Sequence, residues 1–150
     1  MMGCRAISAS PWCCPPGVGT PRPQSTRSGA FDRHPGLKIV IGHMGEALPF
    51  MFDRIDETTR AEAKARLRRS VRQTILDRVW ITTSGFFTRV PFFSALLSFG
   101  VDRIMFSVDL PVRVERSCAG VPGRAVSPAD RAKIAHGNAD RLLRLPVDHL

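Results

Sequence analysis

Three short apolar runs, each finishing in polar residues, constrain this chain more than any other feature. They are Leu37-Lys-Ile-Val-Ile-Gly42, Val79-Trp-Ile-Thr-Thr-Ser84 and Arg103-Ile-Met-Phe-Ser-Val-Asp109. Their length and their content of β-branched residues predict strands buried on both faces. Helical patterns separate them. The spacing predicts a helix over 47–56, with Leu48, Phe52 and Ile55 on one face. A second is expected over 60–76, where Leu67, Val71 and Ile75 repeat at every fourth position. Its solvated face carries Arg60, Glu62, Lys64, Arg68, Arg69 and Arg72. A third covers 91–99, with Pro91 tolerated near the first turn and Gly100 as the stop. Ser127 is a helix cap, followed by Pro128 and Asp130 in the first turn, and a last short helix is expected over 139–145. The order β-α-α-β-α-β-α-α predicts an α/β fold with a parallel sheet and right-handed crossovers.

Length bounds what such a chain can close. At 150 residues it is one domain, against about 250 for an eight-stranded β/α barrel. No apolar run approaches the ~18–20 residues that span a bilayer, so no membrane partner is expected. The net charge of +9 suggests polyanions, but only three of the 22 basic residues are lysines (Lys38, Lys64 and Lys133). A field of positive charge does not need arginine, whereas a GC-rich coding sequence supplies it. There is no tyrosine, and the phenylalanines sit in apolar runs rather than along a basic groove, so nucleic acid is not an expected partner. Cys4, Cys13, Cys14 and Cys118 form no CxxC pair. That argues against a zinc ribbon or a secreted disulfide scaffold and favours a reducing cytoplasm. Residues 1–29 hold five prolines and no acidic residue, which predicts an irregular tail ahead of a domain over 30–146. The stretch from Arg113 to Ala125 reads as a loop.

Each predicted strand delivers polar groups at its C-terminal end, the edge where parallel α/β folds collect ligands and catalytic groups. The first gives His43 and Glu46, the second Thr82, Thr83 and Ser84 ahead of Gly85, the third Ser107 and Asp109. A carboxylate three residues after an imidazole can accept its N–H and fix its tautomer. The alternative is a histidine tied to backbone and a glutamate that merely starts a helix. Asp109 is either a turn or cap residue, or a hard-oxygen metal ligand or acid/base. Thr82 to Ser84 are expected to hydrogen-bond at the strand end. His34 reads as a surface turn residue, His136 as a helix-end residue and His149 as part of a frayed terminus.

The stretch Phe31-Asp-Arg-His-Pro-Gly-Leu-Lys-Ile-Val-Ile-Gly-His-Met-Gly-Glu-Ala-Leu-Pro-Phe50 resembles the C-terminal half of the amidohydrolase-related decarboxylases. These act on aminocarboxymuconate semialdehyde, γ-resorcylate, 2,3-dihydroxybenzoate or 5-carboxyvanillate. Trp80-Ile-Thr-Thr-Ser-Gly85, Asp102 to Pro111 and Ser127 to Leu145 continue the likeness in order. The resemblance implies strands six to eight of a metal-dependent (β/α)8 barrel. It further implies a carboxy-lyase that uses zinc or manganese on a small aromatic or semialdehyde carboxylate. A metal-dependent C–N or C–O hydrolase of the same superfamily is the alternative. A half-barrel that pairs with a complementary module is the non-enzymatic one.

By that resemblance Asp109 is the metal ligand and handles the proton, His43 is the catalytic histidine, and Glu46 is its hydrogen-bonding partner. Arg54, in Phe52-Asp-Arg-Ile-Asp56, binds a substrate carboxylate in a neighbouring subunit's site, which implies a homodimer. The family's first-strand His-x-His or Glu-x-His ligand pair has no counterpart here, nor does its fifth-strand ligand histidine. Leu110 stands where the family usually has an aromatic residue. The expectation is therefore a truncated or frame-shifted gene product, inactive alone, that does not retain the metal.

Overall fold

The computed structural model describes residues 29–67, 69–108 and 126–145. Most of the expected tail, Asp109 and the 113–125 loop lie outside these. Contacts group the chain into two compact units, which are described separately: residues up to Ile41 with Glu46–Trp80, and Gly42–Gly45 with the residues from Ile81 onward.

The first unit opens with α1 (Ala30–Arg33), followed by strand β1 (Ile39–Ile41). Helix α2 spans Leu48–Arg66 without a break, where the sequence predicts two helices parted near residue 57. Glu57-Thr-Thr59 resembles a break because β-branched and hydroxyl residues are weak helix formers. Thr58 and Thr59 instead donate their hydroxyls back to the carbonyls of Arg54 and Ile55 and stay helical. The real break falls over 67–70. There Ser70 caps α3 (Val71–Arg78), its Oγ accepting the Gln73 N–H at 3.1 Å. The predicted repeat at Leu67 thus lies in the break, while Val71 and Ile75 are buried.

Helices α2 and α3 pack on each other. The Asp56 carboxylate accepts the Arg72 N–H, and the Arg72 guanidinium lies over the Phe52 ring, 4.8 Å from its centroid. Phe31, Ile41, Leu48, Phe52 and Val79 are buried with Val71 and Ile75.

Strand β2 (Val79–Thr82) leads into the second unit, which contains α4 (Arg89–Phe99) and β3 (Ile104–Met105). The three strands form one sheet in the order β1-β2-β3. β2 and β3 are parallel, Ile81 opposite Ile104 and Thr82 opposite Met105. The predicted strand cores are therefore present but shorter than the apolar runs. Gly100 ends α4 as expected, at φ +76°, its N–H donating to the Leu96 carbonyl.

Ser127 caps α5 (Pro128–Ala132), accepting from the Asp130 N–H at 3.1 Å. The two predicted C-terminal helices are joined: a π-helical segment, Lys133–Gly137, runs directly into α6 (Asn138–Leu143). Ile81, Phe92, Ala95, Phe99, Ile104, Ile134 and Leu142 are buried in this unit.

Candidate active site

The C-terminal edge of β2 and β3 carries a compact polar cluster in the second unit. His43 opens a 3-10 turn (His43–Gly45) immediately after β1. Its φ is +53°, and Met44, Gly45 and Glu46 follow at +52°, +75° and +58°. Three of these four are not glycine. The left-handed region costs non-glycine residues about 1–2 kcal/mol each, and such strain persists where surrounding contacts over-determine it, commonly at functional sites. The sequence predicts a tight turn through Gly45 with the helix starting near Glu46. The turn is present, and the helix begins at Leu48, because residue 46 is still left-handed.

Ser84 and Phe86 are among the groups that hold His43. Its backbone N–H donates to Ser84 Oγ at 3.2 Å, and that oxygen lies 3.2 Å from Thr82 Oγ1. Its imidazole meets Phe86 edge-on, with centroids 6.3 Å apart and planes at 84°. Gly85 makes room for the ring. A Cβ at that position, where φ is +74°, would stand 2.6 Å from His43 Cδ2. A Cβ on Gly42 would stand 3.3 Å from Ser84 Oγ. Thr83 ties the second strand to the third. Its hydroxyl donates to the Ser107 carbonyl at 3.0 Å and accepts the Ser107 N–H at 3.1 Å. Thr83 is 1% exposed, so this pairing is sealed from solvent. The expectation that Thr82 to Ser84 act as hydrogen-bonding strand-end residues is met.

Glu46 sits in the first unit with its Oε1 buried. Arg54 is exposed on α2. Asp109 lies outside the described residues, one position after Val108. Among the described residues no three His, Cys, Asp or Glu side chains converge as a metal site requires. A catalytic zinc takes about three protein ligands with an open position, so the described residues by themselves do not fit a resident metal.

Sequence reasoning passed over Asn138. It is 2% exposed, and its Nδ2 donates at 2.8 Å to both the Val101 and the Ile104 carbonyls. Its only local signal is Gly137-Asn138 in the middle of a helical pattern. The π-helical segment ahead of it leaves the Ile134 carbonyl to accept the Phe106 N–H at 2.8 Å, anchoring the chain just past β3.

The amidohydrolase family model matches residues 19–145 of the chain. The chain belongs to the amidohydrolase family. It is 38% identical over 122 residues to a γ-resorcylate decarboxylase of Polaromonas sp., an alignment covering 79% of this chain and 37% of that protein. Among solved structures it resembles a dihydroxybenzoic acid decarboxylase of Polaromonas sp., determined with bound manganese and the inhibitor 2-nitroresorcinol. The TM-score is 0.73 at 35% identity, over 83% of this chain and 39% of that one. It also resembles a 5-carboxyvanillate decarboxylase of Sphingomonas paucimobilis, with a TM-score of 0.75 at 29% identity over 83% and 38% of the two chains. These amidohydrolases are β/α barrels, and the chain is an α/β partial barrel spanning under half their length. No helix among the described residues is long and apolar enough to cross a membrane.

Proposed function

We propose that this chain carries the last three strands of a metal-dependent decarboxylase that removes carbon dioxide from a small hydroxylated aromatic acid. The observation that carries the reading is the strained His43 turn at the C-terminal sheet edge, braced by Ser84 and given room by Gly85. It occurs in a chain 38% identical to a γ-resorcylate decarboxylase. In this reading His43 lies beside the substrate, Glu46 orients its imidazole, and Asp109 is the metal ligand. The ring carbon bearing the carboxylate gains a proton, the carbon–carbon bond breaks with its electron pair returning to the ring, and carbon dioxide leaves. Asp109 would hold part of the coordination of a divalent metal, zinc or manganese, which would supply charge stabilisation for a carboxylate and its neighbouring hydroxyl. The exposed Arg54 binds a carboxylate in the partner subunit of a homodimer, where a guanidinium makes a bidentate pair.

Taken alone, the 150 residues hold Asp109 and His43 as donors and no His-x-His or Glu-x-His pair, fewer than a catalytic metal requires. The expected result for the purified chain is no stoichiometric zinc or manganese and no decarboxylation of a hydroxybenzoate panel. Stoichiometric metal with turnover overturns the inactivity. Co-expression with the N-terminal part of a γ-resorcylate decarboxylase tests the chemistry. Activity that appears and is lost with Asp109→Asn supports it, and a soluble complex without activity refutes it.

One observation favours the complementation reading as well. Val90, Phe93 and Leu97 form an exposed stripe on α4, 72%, 39% and 85% accessible, of the kind a β/α barrel covers with neighbouring elements. Size-exclusion chromatography of the co-expressed halves distinguishes a defined complex from aggregate.

A further inference from the structure

A separate cavity lies in the first unit, among residues that precede the strands rather than follow them. It is a half-open cleft of about 200 Å3. Phe31 and Pro35 come from α1 and the turn leading to β1, Arg69 from the break before α3, and Asp77 and Arg78 from the end of α3. At about 30 Å3 of liquid volume per water, the space equals about seven waters, room for a small organic molecule. That is below the ~300 Å3 at which drug-sized pockets begin.

Its charges decide what fits. Asp32 also lines the cavity, so two carboxylates face two guanidiniums. One pair is internal: Arg69 Nη1 lies 2.5 Å from Asp77 Oδ2. Among the described residues the side chains of Asp32 and Arg78 make no ion pair or hydrogen bond, with each other or with anything else. The cavity therefore offers one uncommitted anion and one uncommitted cation, beside the buried ring of Phe31 and the apolar face of Pro35. A simple anion would meet the uncommitted Asp32 with the wrong sign, and a simple cation would meet Arg78. A molecule carrying both charges and an apolar body satisfies all of them.

We propose that this cavity binds a free α-amino acid with an apolar side chain. Its carboxylate lies on Arg78, its ammonium on Asp32, and its side chain against Phe31 and Pro35. The site is independent of the decarboxylase reading, because none of its residues stands at the His43 edge.

The test is titration of the 15N-labelled chain with three probes, following amide shifts of residues 31–35 and 74–78. L-Leucine is expected to give saturable shifts with a dissociation constant near about 1 mM. N-acetyl-L-leucine, which lacks the ammonium, and 3-methylbutylamine, which lacks the carboxylate, should each bind at least roughly tenfold more weakly. Asp32→Asn should abolish the preference for leucine over its N-acetyl form, and Arg78→Gln the preference over the amine. Both positions are at least partly exposed, and unchanged circular dichroism would verify folding. Three results overturn the proposal: no saturation by L-leucine up to ~50 mM, either single-charge probe binding as well as leucine, or unchanged leucine affinity in both variants.

Discussion

Asn138 is a side chain whose removal should be felt well beyond its size. Its Nδ2 is shared between the Val101 and Ile104 carbonyls at 2.8 Å each. Asn138→Ala leaves both acceptors without that donor. The Ile104 bond is fully buried, so its loss costs about 1–3 kcal/mol. The Val101 bond is only part-buried, and water can replace some of it, leaving about 0.5–1.5 kcal/mol. One term opposes these. Asn138 Oδ1 is buried and has no hydrogen-bond partner among the described residues, so deleting it relieves about 1 kcal/mol of desolvation. The net destabilisation is about 2 kcal/mol.

With a urea dependence of ~1–3 kcal/mol per molar for a small domain, the unfolding midpoint should fall by roughly 1 M at an unchanged slope, read by circular dichroism. Asn138→Asp sharpens the test, because it replaces the donor with a carboxylate facing two carbonyl oxygens. Burial and those oxygens raise the introduced group's pKa in the folded state above the unfolded value of about 3.9. Stability is then greatest below that value and falls as pH rises towards the folded pKa. Asn138→Asp should therefore be worse than Asn138→Ala at neutral pH and recover on acidification. A loss under about 0.5 kcal/mol for Asn138→Ala, or an aspartate as stable as asparagine at pH 7, would refute the reasoning.

Gly85→Ala places a Cβ 2.6 Å from His43 Cδ2 at a φ of +74°. It should cost about 1–2 kcal/mol and shift the His43 ring resonances, and an unmoved imidazole would show that the contact is absent. Ser84→Ala removes the acceptor for the His43 N–H. A loss of about 1 kcal/mol, with faster amide exchange at His43, is expected by hydrogen-exchange NMR. Ser70→Ala deletes the α3 cap and should cost about 0.5–2 kcal/mol in thermal unfolding, whereas Ser70→Gly should cost only a few tenths.

Much of the site was legible because its signals are local. Glycine at a helix stop, serine-proline at a helix start and polar residues closing an apolar run report on neighbours a few positions away. Gly100, Ser127 and the Thr82 to Ser84 strand end stand where such patterns put them. The same locality explains the misreadings. Thr58 and Thr59 look like a helix break by propensity, yet they stay helical with their hydroxyls bonded to the preceding turn. The true break, between the end of α2 at Arg66 and the start of α3 at Val71, carries no glycine or proline.

The sequence by itself determined the order of the three strands and of the helices that follow the first of them, though not the short α1 ahead of it, and the edge at which His43, Ser84 and Ser107 emerge. Those follow from periodicity, cap chemistry and residue identity, which do not depend on the rest of the chain being folded. Only the tertiary structure decided the rest. The left-handed run from His43 to Glu46 is held in part by Ser84, 41 positions away from His43. Asn138 earns its place through carbonyls 37 and 34 positions distant. The uncommitted charges of Asp32 and Arg78 meet in one cavity although 46 positions separate them in sequence. Strain and clamped carbonyls are properties of contacts between remote segments, and those contacts exist only once the sheet has formed.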